Sequence, residues 1–273
     1  MIRAASRHAA ADLRTRLNAE TAGVSTDDLT ALARELYAVA ELLVAEPQLR
    51  RTLGDPSTDE GSRTGLIGRL LDGKVSERAV NIAKAAVALR WSSPWDLADG
   101  IEMAGDDVLL RAAEQGGKLD DVEDELFRFE RLLDAEPQLT TLLDEVTVPA
   151  ERRAGLLRDV VFGRMHPVTQ ALLEHAVVSP RKRSVEHAID DLLEAAAARQ
   201  QRSIARVISA RPVTAEQENR LVSALSEVYG RPITVRVAVD PAVQGGLMVR
   251  VGDEVIDGSV ASRFTAVRTA LAS

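Results

Sequence analysis

Cysteine is absent from the chain, and with it go disulfide frameworks, thiolate metal centres and thiol nucleophiles. Aromatic side chains are nearly as scarce, at 3% of 273 residues against 45% apolar overall. Cores must therefore be assembled mainly from Ala, Leu and Val, a composition that predicts helix bundles. Positive charge is also in deficit. Against 42 Asp and Glu stand 34 Lys and Arg, a net charge of −8, whereas a protein that displaces counterions from a phosphate backbone needs a basic face. Nucleic acid is not an expected partner. Nor does any apolar run reach the roughly 18 to 20 residues required to cross a bilayer, and the first stretch, Met1 to Arg16, is interrupted by Arg3, Arg7, His8, Asp12 and Arg14. The expectation is a soluble chain, long enough for two or three domains that each bury a core.

Signatures of chemistry are missing as well. The four histidines, His8, His166, His175 and His187, include no His-Glu-x-x-His pair that would place two imidazoles and a base on one helical face. They read as solvated or capping residues, and an independent hydrolase built on His166 or His175 has no motif behind it. No Gly-x-Ser-x-Gly elbow, phosphate-binding Gly-x-x-x-x-Gly-Lys loop or Gly-x-Gly-x-x-Gly fingerprint follows a predicted strand. The carboxylates Asp120, Asp121, Glu123, Asp124 and Glu125 form a charge run expected to be a solvated helix face. Gly245-Gly246 reads as a bulge or positive-φ entry into a strand. Arg181-Lys182-Arg183 reads as a solvated turn or a contact for an acidic partner. No catalytic residue, metal ligand or cofactor is expected.

What the chain does have is a repeat. Leu42-Leu43-Val44-Ala45-Glu46-Pro47-Gln48-Leu49 returns ninety residues later as Leu132-Leu133-Asp134-Ala135-Glu136-Pro137-Gln138-Leu139, and the register then holds without a gap. Arg63, Gly65, Leu66 and Gly73 fall opposite Arg153, Gly155, Leu156 and Gly163, and Ala86-Val87 opposite Ala176-Val177. Each copy is far longer than a solenoid repeat, so two helical bundles in tandem are predicted.

Residues 2 to about 20 form a first helix, and Ser25-Thr26-Asp27-Asp28 caps a second with Leu29, Leu32, Leu36, Val39 and Leu43 at helical spacing. Each Glu-Pro pair, at Pro47 and Pro137, marks a break between helices, because proline costs nothing at a first helical position but pushes its predecessor out of the helix. Short helices follow near 47–53, 62–71 and 76–90, with counterparts near 137–144, 150–161 and 167–177. Longer helices, about 94–115 and 182–202, close the copies, and Trp91 and Trp95 are expected to wedge between helices of the first. Near residue 204 the pattern changes. Ile204 to Ala210 reads as a strand, Thr214 and Gln217 make a capping box, and Leu221, Leu225 and Val228 mark a helix. Ile233 to Val239 alternates as a half-buried strand does. Strands Leu247 to Val251 and Glu254 to Asp257 flank a Gly252-Asp253 turn, and a last helix carries Val260, Phe264, Val267 and Leu271. The fold expected is mainly α: bundles over 1–102 and 103–203, then a small α/β domain over 204–273.

One stretch is long and specific. Gly245-Gly246-Leu247-Met248-Val249-Arg250-Val251-Gly252-Asp253-Glu254-Val255-Ile256-Asp257-Gly258-Ser259-Val260, followed by Arg263, resembles the C-terminal signature of the delta subunit of bacterial F-type ATP synthases. Leu109 to Leu126, with Ala112-Ala113-Glu114-Gln115-Gly116-Gly117-Lys118-Leu119 at its centre, resembles the first helix of that subunit and the start of the next. The mitochondrial relative of the family is the oligomycin-sensitivity-conferring protein. From about residue 103 onward the chain resembles a delta subunit of ordinary length, and residues 1 to about 102 resemble the added copy in long delta subunits of high-GC Gram-positive bacteria.

The resemblance implies a non-catalytic stator subunit. It would bind the N-terminal segments of alpha subunits through its helical domain and the b-type stalk through its C-terminal part, on the cytoplasmic face of the cell membrane, peripheral and attached only through the complex. In the family the alpha-binding groove lies between the first and fifth helices, which places Val108, Leu109, Ala112, Val168, Leu172 and Ala176 in it here. At each of these positions intramolecular core is an equal reading, because groove-facing and core-facing residues share one spacing. A free-standing helical adaptor would account for the repeat but leave the signature unexplained.

Overall fold

The computed structural model describes residues 6–161, 163–179, 184–200, 203–229, 233–240, 246–251 and 254–257. The chain divides into two compact units, Met1–Leu192 and Leu193–Ser273. The first holds α1 (Arg7–Glu20), α2 (Thr26–Ala45), α3 (Pro47–Gly54), α4 (Glu60–Leu71), α5 (Glu77–Ala88), α6 (Pro94–Gln115), α7 (Leu119–Ala135), α8 (Pro137–Asp144), α9 (Ala150–Val161) and α10 (Pro167–Val178). The division falls inside α11 (Val185–Arg199).

The ninety-residue offset runs through these bounds: α3, α4 and α5 recur residue for residue as α8, α9 and α10. Helix α6 serves both sets. It follows α5 as the closing helix of the first, and its middle lies ninety residues beyond α1, so it also opens the second. The expected boundary at 102/103 therefore falls inside a continuous helix. Local causes repeat with the bounds. Glu46 and Glu136 leave the helical region just before Pro47 and Pro137, as the steric conflict with the proline ring requires. Gly73 and Gly163, two residues after α4 and α9, take φ of 66° and 67°, a conformation in which a β-carbon would collide with the backbone.

Polar clamps repeat too. Arg63 donates to the carbonyls of Leu53 and Val87, and Arg153 to those of Leu143 at 3.2 Å and Val177 at 2.7 Å. Glu35 accepts from the Ser76 amide at the start of α5, and Glu125 from the His166 amide at the start of α10. The Leu43 carbonyl is capped by Arg50 at 2.7 Å, the Leu133 carbonyl by Thr140 at 3.1 Å. Between these clamps the core is aliphatic, with Leu29, Leu36, Leu43, Ile82, Leu97, Ile101, Leu126 and Phe129 fully buried. Each such side chain contributes about 1.5–3 kcal/mol relative to exposure. Trp91 is buried and donates from Nε1 to the Ala86 carbonyl at 2.8 Å. Trp95 is 39% exposed, and the buried Arg50 of α3 sets its guanidinium 3.4 Å from the ring centroid, a cation–π contact between α3 and α6.

The second unit is a four-stranded sheet in the order β2-β1-β3-β4, formed by β1 (Ser203–Ser209), β2 (Ile233–Val239), β3 (Leu247–Val251) and β4 (Glu254–Asp257). Helix α12 (Ala215–Tyr229) links the parallel pair β1 and β2, and the other pairings are antiparallel. Thr214 and Gln217 form the expected capping box, each side chain accepting from the other's amide. Period-two alternation puts Ala205, Val207, Ile233, Val235, Val249 and Val251 on one face, where they form a core with Leu225. The last predicted helix, over Val260, Phe264, Val267 and Leu271, lies outside the described residues.

Candidate functional site

Helices α6 and α10 pack against each other, and they carry all six residues expected to line a partner groove. Val108, Leu109, Ala112, Val168, Leu172 and Ala176 are between 0% and 6% exposed, so none of the six faces open solvent in the folded chain. A third helix reaches the same place. Tyr37, from α2, stands over Gly105 of α6, where a β-carbon would lie 2.5 Å from the ring. The Tyr37 ring stacks on His175 of α10, centroids 3.6 Å apart and planes within 6°. Its hydroxyl donates to Asp106 Oδ1 at 2.7 Å, and His175 Nε2 lies 2.8 Å from Glu102 Oε1.

These contacts share helix faces with the six candidates. Gly105 and Asp106 precede Val108 and Leu109 by three residues, and His175 follows Leu172 by three, the spacing that aligns side chains along a helix. Burial pushes the Asp106 carboxyl up to about 7; the His175 charge and the Tyr37 hydrogen bond oppose the rise, while Glu102 and Asp191 add to it. Burial, followed by the Asp106 charge, raises the Tyr37 phenol well above its ordinary value.

Sequence reasoning missed this joint. It expected solvated or capping histidines, and His175, 8% exposed, is neither. His166 does cap, its Nδ1 accepting from the Val168 amide at 3.2 Å, His187 bonds Ser184 Oγ at 2.9 Å, and His8 is exposed. The joint unites residues 69 and 73 positions apart, which no local pattern reveals. One signal was present: glycine inside a long helix costs about 1 kcal/mol relative to alanine, so Gly105 marks a place where something approaches closely. The carboxylate run also needs correction. Asp120, Asp121 and Asp124 are exposed, but Glu123 is 3% exposed and Glu125 accepts from the His166 amide and Thr169 Oγ1. A run longer than one helical turn cannot keep every member on the outer face.

In the C-terminal signature, Gly246 takes φ of 85° at the entry to β3, the conformation that reserves the position for glycine. Leu247 and Arg250 lie on β3, Asp257 on β4 opposite Met248. Arg250 pairs in register with Arg206, and Arg206 with Arg236, so three arginines form a row across β3, β1 and β2. Gly245, Gly252, Asp253, Ser259 and Arg263, like Arg181-Lys182-Arg183, lie outside the described residues. Among the described residues no group of three or more His, Asp or Glu is placed to hold a metal ion, and no helix is long and apolar enough to cross a membrane.

Residues 107–271, from the middle of α6 through the sheet and beyond, match the family described as ATP synthase delta (OSCP) subunit. The chain belongs to that family. Delta/OSCP subunits are structural, non-catalytic components of ATP synthase, and this one carries 106 residues ahead of the matched region. It is 43% identical over 251 residues to the ATP synthase subunit delta of Parafrankia sp. (strain EAN1pec), covering 92% of this chain and 90% of that protein. With the ATP synthase subunit delta of Streptomyces griseus subsp. griseus it shares 43% identity over 260 residues, 95% of this chain and 96% of the other. At that coverage the delta relatives extend across most of the first repeat as well. A chain of the Toxoplasma gondii mitochondrial ATP synthase hexamer superposes with a TM-score of 0.42 at 21% identity, covering 62% of this chain and 95% of that one, a likeness too loose to carry argument.

Proposed function

We propose that this chain is the stator subunit that joins the catalytic head of a proton-translocating F-type ATP synthase to its peripheral stalk. An alpha-subunit N-terminal segment engages the surface formed by α6 and α10, and the b-type stalk engages the C-terminal α/β unit, so that the head is kept from turning with the rotor. The chain works at the cytoplasmic face of the membrane, peripherally, through the complex. The observation that carries the reading is the family match over residues 107–271, which runs from the middle of α6 through α10 and the sheet. Holding requires no chemistry. An apolar surface takes an amphipathic helix through anchors at i, i+3, i+4 and i+7. The domains follow the repeat: an added bundle, a bundle of family type and the α/β end, the first of these lengthening the attachment to the stalk or the top of the head.

The reading is tested by affinity purification of the tagged full-length chain and of a version lacking β1 to the C-terminus. Full-length protein should bring down both alpha and b-type subunits, whereas the truncated chain should keep alpha and lose the stalk. Equal recovery of the b-type subunit by both versions would overturn the division of labour, and recovery of neither partner by the full chain would overturn the function.

A further inference from the structure

The six candidate groove residues are buried although the chain is alone, and a helix of the first repeat reaches the α6–α10 pair that carries them. Among the described residues, helix α2 makes the most extensive helix–helix contact with α6, and through Tyr37 it also touches α10. Three helices thus meet at one point, where Tyr37 of α2 bridges Gly105 and Asp106 of α6 to His175 of α10, and α7 contacts α6 and α10 as well. The contact is specific: a flat ring filling the space above Gly105, a stack on His175, and a hydroxyl seated on Asp106. Aromatic stacking and a buried hydrogen bond each favour one arrangement over its competitors.

We propose that α2 of the first repeat is a built-in occupant of the α6–α10 surface, latched by the Tyr37–His175–Glu102–Asp106 joint, and that an amphipathic helix from the catalytic head engages this surface only by displacing it. The inference rests on the head-binding reading above. It gives the added repeat a second role, setting the affinity and order of assembly: displacement of α2 lowers the apparent affinity of the second repeat for its partner by the fraction of chains in which the latch is open.

Because the native chain contains no cysteine, Glu41→Cys on α2 and Ala171→Cys on α10 provide the sole thiols for a nitroxide pair. Full-length labelled protein is titrated with a synthetic peptide of the alpha-subunit N-terminal segment, following affinity by calorimetry and the α2–α10 separation by pulsed electron resonance. The peptide should lengthen the separation. Tyr37→Ala should bind it at least about tenfold more tightly than the native chain, the effect of releasing roughly 1.4 kcal/mol of competition. Tyr37→Phe, which keeps the stack but loses the hydroxyl, should show a smaller gain and remains informative if the alanine variant fails to fold. Binding with unchanged separation and equal affinity in all three proteins overturns the latch while leaving the head-binding reading intact. Absence of binding by every folded variant overturns the head-binding reading, and the latch with it.

Discussion

Asp106 binds its proton more tightly in the folded chain than an ordinary aspartate does, with a pKa pushed up to about 7 from 3.8, first by burial. Its stabilising contribution is therefore complete below the unfolded value, near pH 4, and is lost as the pH rises through about 7. Each pKa unit corresponds to about 1.4 kcal/mol, and the partial exposure of the side chain limits the total to a few kcal/mol. Urea unfolding at about pH 5 and about pH 8 should show the native chain losing stability with rising pH. Asp106→Asn, which keeps an acceptor for Tyr37, should lose less. Parallel losses in the two proteins would show that Asp106 is not the source of the pH dependence. Steric fit at the same joint gives a second prediction. Gly105→Ala puts a methyl group where the Tyr37 ring stands, and overpacking of this kind costs about 1–3 kcal/mol. A lowered thermal midpoint is expected, and an unchanged one would show that the ring moves aside freely.

At the scale of elements, the paired arginines of α4 and α9 make a comparison that the repeat itself supplies. Arg63 and Arg153 are both nearly buried, and each joins the end of the preceding short helix to the end of the helix that follows. Removing either leaves two buried carbonyls without that donor, for a loss of about 2–4 kcal/mol. Arg63→Ala and Arg153→Ala should each speed amide exchange in their own repeat, α3 to α5 in one and α8 to α10 in the other. Protection lost equally in both repeats from a single substitution would mean that the two exchange as one unit. Most of this architecture was legible beforehand, because its causes are local. Pro47, Pro137, Ser25 and the Thr214–Gln217 pair act on their own neighbours, and the alternation of Ile233 to Val239 reports its own burial. The burial of Val108 or Leu172 was not legible, since a residue facing a groove and one facing the core have the same spacing. What decides between them is packing between helices far apart in the chain, such as α2 on α6 and α7 on α10.

For the molecule as a whole, the sharing of α6 changes where the chain can be divided. The resemblance read from the sequence puts the cut at about residue 102, leaving what resembles an ordinary subunit. That cut falls in mid-helix, between Glu102 and Met103, and it discards both the Ser93 cap of α6 and the carboxylate that pairs with His175. A fragment beginning at Ser93 keeps them. The cap contributes about 0.5–2 kcal/mol, and retention of Glu102 keeps a buried imidazole partnered. Either fragment uncovers the face of α6 on which α2 packs and the His175 ring on which Tyr37 stacks, so both should melt below the full chain, with the Ser93 fragment clearly the more stable of the two. If the α6–α10 surface receives the alpha-subunit segment, the Ser93 fragment should bind that peptide without the competition from α2, and the added repeat is an accessory to attachment. Circular dichroism melting and calorimetric titration of both fragments decide the matter. Equal melting temperatures would mean that the first turns of α6 belong to the first repeat alone, and complete loss of peptide binding by a demonstrably folded Ser93 fragment would move the head-binding surface to the first repeat.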